Sequence, residues 1–327
     1  MSKMLKGQKL ASLTVLFLIL ISSSSFAATR FSVIGSRPVA DGGKLFKVLE
    51  SKTLSQWQWS AGTAFNFEHL PLNTNVGTRI VERMFYEHVY GAVGFTDWFD
   101  ASLDMPVVWY NRFFNPDTGA AASNRLGQGD LSLTARFRLL NRDKFHFGIA
   151  VAPFVTFPTG RKSLFIGDDG FTGGGNMIFD GDIGNHLIWG LNVGGLVRKK
   201  IVGYGLNFSS QFLLSAGLNV KITDLFAIVG ELETRTPFTN FFKDVNSTPA
   251  ESRVGFQWTM GRDRNIIMSA GASFGITYGA GSAKYGAFAS ITYKGRPIKI
   301  KSRSARGSPK PLVEEKIEKK PNQEPKS

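Results

Sequence analysis

The sequence of 327 residues contains no cysteine and only four histidines, His69, His88, His146 and His186. Without cysteine the chain cannot form disulfides, thiolate metal sites or a thiol nucleophile. The four histidines are scattered, and none belongs to an HExxH motif or to another paired metal-binding spacing. The sequence therefore predicts a protein that is not an enzyme and that holds neither a metal nor another cofactor.

Long apolar runs are also absent after the amino terminus. Residues 1–27 are typical of a secretory signal peptide, with three lysines before the apolar run 10–21 and small residues that predict cleavage after Ala27. No later segment has 18 consecutive apolar residues, which excludes a transmembrane helix in the mature chain. An exported chain of this kind can enter a membrane only as a closed β-barrel, because every backbone group must be hydrogen-bonded in lipid.

The formal net charge of +14 is concentrated at the two ends. The signal peptide carries three of these charges and residues 294–327 carry an excess of seven, which leaves +4 for residues 28–293. The folded part thus lacks the basic face that a nucleic-acid partner requires. Residues 294–327 are too polar to bury a core and are predicted to form a disordered, basic periplasmic tail. Electrostatic contact of this tail with the anionic cell wall is a further hypothesis.

Apolar and polar residues alternate over most of the sequence. Between residues 130 and 139, Leu131, Leu133 and Phe137 are apolar, whereas Ser132 and Arg136 are polar. Because successive side chains of a β-strand point to opposite faces, the pattern predicts one apolar and one polar face. Similar alternation occurs at 57–68, 99–109, 145–157, 206–221, 253–260, 266–276 and 285–293, and weaker strands are predicted at about 79–95, 172–183, 186–198 and 225–236.

The length of these strands, about twelve in total, favours a membrane barrel over a soluble β-sandwich. About 9–11 tilted residues cross a bilayer, whereas strands of globular proteins have about five or six. A sandwich would bury its apolar faces between two sheets, but a barrel turns them towards lipid. The sequence predicts an all-β fold, a transmembrane antiparallel up-and-down β-barrel at residues 54–293, preceded by an irregular periplasmic lead-in at residues 28–53.

The connections alternate in length as well. Outer-membrane barrels have short periplasmic turns and longer external loops. An even strand number places both chain ends at the short-turn rim, so both termini are expected in the periplasm of a bacterium, with outer-membrane lipid and lipopolysaccharide as partners. Short turns are predicted near 96–97, 141–143, 184–185, 223–224 and 261–264, and long connections near 70–78, 111–127, 158–175 and 237–250.

Several short motifs carry a family resemblance. They are GFTDWFD at 94–100 followed by MPVV at 105–108, GQGDL at 127–131, and APFVTFPTG at 152–160. With these motifs the chain from about residue 45 to 293 resembles the N-terminal barrel of large OmpA-family proteins of predatory and gliding bacteria. More distantly, it is similar to the phenol-degradation group of outer-membrane transporter barrels. The resemblance implies a barrel of this type but no particular solute, and the calcium-binding repeats and the peptidoglycan-binding domain usual in the OmpA-family relatives do not follow residue 293.

The polar faces of the strands, which would enclose the lumen, are compatible with two functions. A narrow channel or small-solute transporter would have a water-filled lumen lined by mixed charge, and this is the preferred interpretation. The alternative is a plugged, ion-paired barrel that serves as a cell-envelope scaffold. Within this lumen, Arg253 is expected to meet a carboxylate of the preceding strand. The residues predicted to face the lumen are Asp100, Asp104, Asp130, Arg136, Arg138, Lys221, Glu231, Glu233, Arg235, Arg253 and Gln257.

Four aspartates raise the question of a calcium site, because calcium prefers oxygen ligands. They are Asp168 and Asp169 in a predicted external loop, and Asp180 and Asp182 in the strand that follows. Their spacing is not that of an EF-hand loop, so solvated turns and ordinary strand positions are predicted instead.

Overall fold

The structure, a computed structural model, describes residues 31–35, 37–73, 79–114, 120–203, 206–245, 247–277 and 281–298. The predicted signal peptide and the tail beyond residue 298 lie outside these residues. The strands are β1 (Trp59–Asn73), β2 (Arg79–Thr96), β3 (Phe99–Phe114), β4 (Ala121–Gln128), β5 (Leu131–Leu140), β6 (Phe147–Phe157), β7 (Thr172–Ile183), β8 (Leu187–Val197), β9 (Ile201–Gly203), β10 (Leu206–Phe208), β11 (Gln211–Lys221), β12 (Phe226–Pro237), β13 (Ala250–Met260), β14 (Ile266–Gly275) and β15 (Tyr285–Lys294).

Helical structure is limited to short pieces within the described residues. The α-helix α1 (Arg142–Phe145) lies between β5 and β6, and single 3₁₀ turns occur at Lys162–Leu164 and Phe238–Asn240. None of the helices in the described part of the chain is long and apolar enough to span a bilayer.

The strands close into an antiparallel barrel. The strands of the wall pair in chain order, with β3 next to β5 and β8 next to β11, and β15 returns to pair with β1 from Ser60 and Lys294 to His69 and Tyr285. β4 and β5 both pair with β3 and together fill one position of the wall, while β9 and β10 form a separate hairpin beyond β8 and β11. The wall is therefore twelve strands wide, which confirms the fold class predicted from the alternation.

The two faces of the wall follow the predicted alternation. On β5, Leu133 is 37% exposed, whereas Ser132 and Arg136 are buried. Trp98 and Trp258 are among the exposed aromatic side chains of the outer face. A barrel with apolar side chains outside and polar ones inside matches a lipid surround, because water would favour the reverse arrangement.

Short turns gather at one rim of the barrel. The β2–β3, β5–β6, β7–β8, β11–β12 and β13–β14 connections all lie at the end where β1 begins and β15 ends, as the pairings of Trp59 with Val93 and of Ser60 with Lys294 require. The opposite rim carries the longer β6–β7 and β12–β13 connections. The barrel wall therefore begins and ends at the short-turn rim.

Residues 31–58, of which residue 36 is not described, pass through the barrel and are called the inner segment below. At the long-loop rim, Val33 N–H donates to the carbonyl of Phe165 in the β6–β7 loop at 3.0 Å. At the short-turn rim, Trp57 N–H donates to Gly94 at 2.7 Å. This path corrects the prediction of a lead-in outside the barrel, because the segment's backbone and charged groups bind the inner wall. It also places the first described residues at the rim opposite the one expected for the amino terminus.

Two glycines of the wall allow the inner segment to approach closely. A Cβ atom at Gly190 would lie 2.8 Å from Leu45 Cδ1, and one at Gly217 would lie 3.0 Å from Leu45 Cδ2. Leu45 is 2% exposed and packs in a small cluster with Phe46, Val48 and other buried residues. A larger side chain at either glycine would push the segment away from the wall.

Candidate functional site in the barrel interior

Glu231 on β12 binds the main chain of the inner segment. Its Oε1 atom accepts hydrogen bonds from the backbone N–H groups of Phe46 at 2.7 Å and Val48 at 3.2 Å. The N–H of Lys47 lies 3.1 Å from each carboxylate oxygen. Hydrogen bonds to charged groups contribute about 1.5–3 kcal/mol each, so Glu231 is a principal anchor of the segment.

Asparagine side chains of the barrel wall bind the main chain of the inner segment on either side of this anchor. Asn192 on β8 accepts a hydrogen bond from Leu49 N–H at 2.8 Å and donates one to the Leu49 carbonyl at 2.9 Å. Asn219 on β11 donates to the carbonyl of Lys44 at 2.6 Å. The buried backbone groups of the segment are thus satisfied by side chains of the wall, as burial requires.

Arg136 on β5 joins the wall to two separate points of the inner segment. Its Nη2 atom lies 2.5 Å from Asp41 Oδ2 and 2.6 Å from Asp100 Oδ2, and Nη1 donates to the carbonyl of Glu50 at 2.9 Å. Asp100 also accepts the backbone N–H of Leu54 at 2.9 Å. All three charged side chains are buried, so the cluster stabilises the fold only while each charge keeps its partner.

Arg142 forms a second cluster near the short-turn rim. Its Nη1 atom lies 3.0 Å from Glu50 Oε1 and 2.8 Å from Asp180 Oδ2. Asp180 additionally accepts hydrogen bonds from the backbone N–H and the hydroxyl of Ser51, at 2.9 and 2.6 Å. Because Asp180 is fully buried and Glu50 is 3% exposed, the cluster ties the inner segment firmly to β7 and α1.

A cavity of about 190 Å³ remains between the inner segment and the wall. That volume is large enough to hold several water molecules. Residues of the segment and of eight strands, β2, β3, β5 to β8, β11 and β12, line it. The cavity is thus a polar space next to a plug, bounded by Arg37, His88, Asp104, Asn176, Glu233 and Arg235 among others.

Four of the residues predicted to face the lumen form hydrogen bonds with the inner segment. Asp100, Arg136 and Glu231 do so as described above, and Gln257 Nε2 donates to the carbonyl of Gly43 at 3.1 Å. Asp104, Asp130, Glu233 and Arg235 line the cavity instead. The structure therefore brings these eight residues together around the inner segment and the space beside it.

Of the other three predicted residues, Arg253 lies beside this group, in a small pocket that it shares with Lys47 and Glu231, and the remaining two lie at the short-turn rim. Arg253 is buried beside Glu251 of its own strand, with Nε 2.7 Å from Oε1. Lys221 lies at the short-turn rim, where Nζ is 2.6 Å from Asp224 Oδ1. Arg138 is partly exposed near the same rim, where its backbone N–H donates to Trp98 at 2.8 Å.

The charged residues of the inner segment are not among those predicted from the sequence to face the lumen. Arg37, Asp41 and Glu50 precede the first alternating strand, so no period marks them as inward-facing. The composition of the segment was nevertheless a signal, because residues 31–58 include many apolar residues, whereas a solvated linker is usually polar. Of these, Val39 and Leu54 are buried in the structure.

The four aspartates considered for calcium are bound by protein groups. Asp168 pairs with Arg198, and Asp169 pairs with Lys162 and Lys199. The Lys162 hydrogen bond, followed by that of Lys199, holds the pKa of Asp169 below its ordinary value. Asp180 and Asp182 face Arg142 instead. Across the described residues, no group of three or more His, Cys, Asp or Glu side chains forms a metal site.

One stretch of β14 has the spacing of a hydrolase nucleophile motif. The residues from Gly271 to Gly275 read Gly-Ala-Ser-Phe-Gly. In that motif the serine needs a sharp turn from a strand into a helix. Here β14 continues through Ser273, which pairs with Arg253 of β13, so the required geometry is absent at this position.

The sequence matches no protein-family model and no curated protein. In fold, the chain is similar to the crystal structure of an outer membrane channel from Pseudomonas putida F1, with a TM-score of 0.60 and 11% identity over 75% of this chain and 98% of that chain. It is also similar to the NanC porin, with a TM-score of 0.49 and 9% identity over 72% of this chain and 98% of that one. At these identities the likeness shows the fold alone, which is that of the outer-membrane β-barrels.

Proposed function

We propose that this chain is a channel for small solutes in the outer membrane of a bacterium, with a lumen narrowed by the inner segment. The observation that carries the proposal is the polar cavity of about 190 Å³ beside that segment. A barrel that served only as a scaffold would gain stability by filling this space with side chains. The proposal assigns the chain no catalytic activity.

Orientation follows from the general rule for such barrels. The short-turn rim faces the periplasm, and the β6–β7 and β12–β13 connections face outwards. The carboxyl-terminal tail then lies in the periplasm, where its positive charge favours contact with the anionic cell wall. The beginning of the inner segment lies at the external rim, and lipid and lipopolysaccharide surround the apolar outer face.

The resemblance of residues 94–108, 127–131 and 152–160 to transporter barrels of the phenol-degradation group supports the channel. Kinship with the barrels of OmpA-family proteins is a second proposal that rests on the same motifs. In this structure the GQGDL motif contains Asp130, whose carboxylate accepts the backbone N–H groups of Gly160 at 2.8 Å and Asp168 at 2.7 Å. The MPVV, GQGDL and APFVTFPTG motifs therefore meet near the β6–β7 loop, where Gly129 N–H also donates to the carbonyl of Pro106 at 2.8 Å, whereas GFTDWFD lies at the short-turn rim.

A plugged scaffold is the second candidate, and a specific observation favours it. The inner segment is fixed by Glu231, Asn192 and the Arg136 and Arg142 clusters, all of which are largely buried. Contacts of this number and kind would keep a segment in place on the time scale of ion passage. The two candidates differ in whether ions pass beside the segment.

Planar-bilayer recording of the purified full chain tests the proposal. We expect discrete current steps smaller than those of an open porin, because only the narrow space beside the inner segment is free. The same detergent without protein serves as the control. A folded, inserted protein that carries no current would contradict the channel and favour the scaffold.

A further inference from the structure

Arg37 is one of the two cations, with Lys47, that the inner segment contributes to the cavity. Its Nη2 atom donates to Thr156 Oγ1 at 2.5 Å, and its Nε atom lies 3.9 Å from Asp104 Oδ2. The guanidinium stands over the ring of Phe154, with Cζ 5.2 Å from the centroid. Its side chain keeps 31% of its surface exposed, so part of this cation faces the cavity rather than the protein.

The wall around Arg37 is acidic. Asp104, Asp130 and Asp168 all line the cavity and act on Arg37 through their charges. Asp168 has its own counter-ion in Arg198. Asp130 accepts only backbone N–H groups, and both oxygens of Asp104 lie within 3.0 Å of His88 Nδ1. Among the described residues, no strand cation other than His88 forms an ion pair with Asp104 or Asp130, so Arg37 offsets part of their charge.

We propose that Arg37 determines the charge selectivity of the lumen, so that the inner segment and not the barrel wall carries the selectivity element. The inference rests on the proposed channel function. Arg37 offsets part of the negative charge of Asp104 and Asp130, and its partly exposed side chain offers a contact to the carboxylate of a passing solute. Arg37 thereby lowers the preference of the lumen for cations, which a wall without Arg37 would attract more strongly.

The test compares ion selectivity in planar bilayers under a salt gradient. Arg37→Met keeps an unbranched side chain on Phe154 but removes the charge. We expect it to raise the K⁺/Cl⁻ permeability ratio about threefold or more, because one charge acts strongly in a narrow, poorly screened lumen. Arg37→Lys restores the charge and should return the ratio towards that of the unmodified chain.

Two further variants make the result specific. Asp104→Asn removes one of the carboxylates that Arg37 balances and should change the ratio in the opposite direction. Arg264→Met removes an exposed cation at the short-turn rim, where Arg264 pairs with Asp224, and should leave the ratio unchanged. A conducting Arg37→Met variant with an unaltered ratio would overturn this inference alone. An unmodified chain without current would overturn the channel and the inference together.

Discussion

Arg253 lies directly opposite Glu231 in the pairing of β12 with β13, yet its guanidinium binds Glu251 on its own strand. The alternation predicted that Arg253 would pair with a carboxylate of the preceding strand. This prediction is wrong, because the carboxylate that Arg253 binds belongs to β13 itself. Glu231 is occupied by backbone N–H groups of the inner segment, a set of donors that no strand pattern could reveal. Removal of Arg253 would accordingly leave Glu251 uncompensated, not Glu231.

Glu231→Ala should loosen the inner segment. The change removes the acceptor of three backbone N–H groups, each hydrogen bond being worth about 1.5–3 kcal/mol to a charged acceptor. We expect faster hydrogen exchange at residues 46–48, measured by mass spectrometry, together with larger or noisier current steps. Glu233→Ala, two residues further along the same face, is the matched control. Equal exchange in the two variants would mean that Glu231 does not hold the segment.

Arg142→Met should destabilise the protein by about 3–5 kcal/mol, because it leaves the buried carboxylates of Glu50 and Asp180 without their cation. Urea unfolding in phospholipid vesicles measures the effect. Lys144→Met, on the exposed side of α1, is the control and should change the free energy of unfolding by less than about 0.5 kcal/mol. Similar unfolding midpoints for both variants would exclude a structural role for the Arg142 cluster.

Leu133→Arg should impair assembly of the barrel. Leu133 is exposed on the outer face of β5, and a cation near the middle of the bilayer costs about 2–4 kcal/mol. The folded fraction in vesicles can be read from the electrophoretic mobility of unheated samples. Leu133→Phe keeps the face apolar and should assemble normally. A normally assembled Leu133→Arg barrel would indicate that this position lies outside the hydrocarbon region.

Asp143 and Lys52 form a pH-dependent ion pair between α1 and the inner segment. Lys52 Nζ lies 2.9 Å from Asp143 Oδ2, and this hydrogen bond holds the pKa of Asp143 below its ordinary value of 3.8. Because the folded-state pKa of Asp143 is lowered, the ion pair stabilises the protein above pH 3.8. This stabilisation is lost as the pH falls through the folded-state pKa.

Asp143→Asn should therefore lower stability by no more than about 1 kcal/mol at pH 7, since both partners are half exposed. The difference from the unmodified chain should shrink as the pH falls below 3.8 and disappear below the folded-state pKa of Asp143, where both forms are uncharged at this position. Urea midpoints in a series from neutral to acid pH measure this, with Lys144→Gln as the control. A difference that persists in acid would have to come from packing and not from the charge.

Single cysteines can test the orientation, because the chain contains none of its own. Gly170→Cys lies in the β6–β7 loop, where an added Cβ has nothing within 4 Å. On intact cells it should react with a membrane-impermeant maleimide, whereas Asn185→Cys in the β7–β8 turn should react only after lysis. The reverse result would invert the barrel in the membrane. Residue 117, also expected in an external loop, lies outside the described residues.

The sequence by itself determined the wall of the barrel. Along β5 the alternation of Leu133 with Ser132 and Arg136 predicts which side chains point outwards, since a strand has only two faces and a membrane requires one of them to be apolar. Turn residues such as Thr96 and Asn185 predict where strands end, because tight hairpins need residues of that kind. These are local properties, so they can be recognised without knowing what surrounds each strand.

Only the tertiary structure decided what fills the barrel. Leu49 binds Asn192 and Phe46 binds Glu231 through main-chain atoms, which are the same in every residue and leave no trace in the sequence. Arg37 acquires its role from Asp104, 67 positions away, through a path that runs back along the lumen. Because the inner segment has no period of its own, its place inside the barrel follows from the sum of these long-range contacts and could not be inferred from any local pattern.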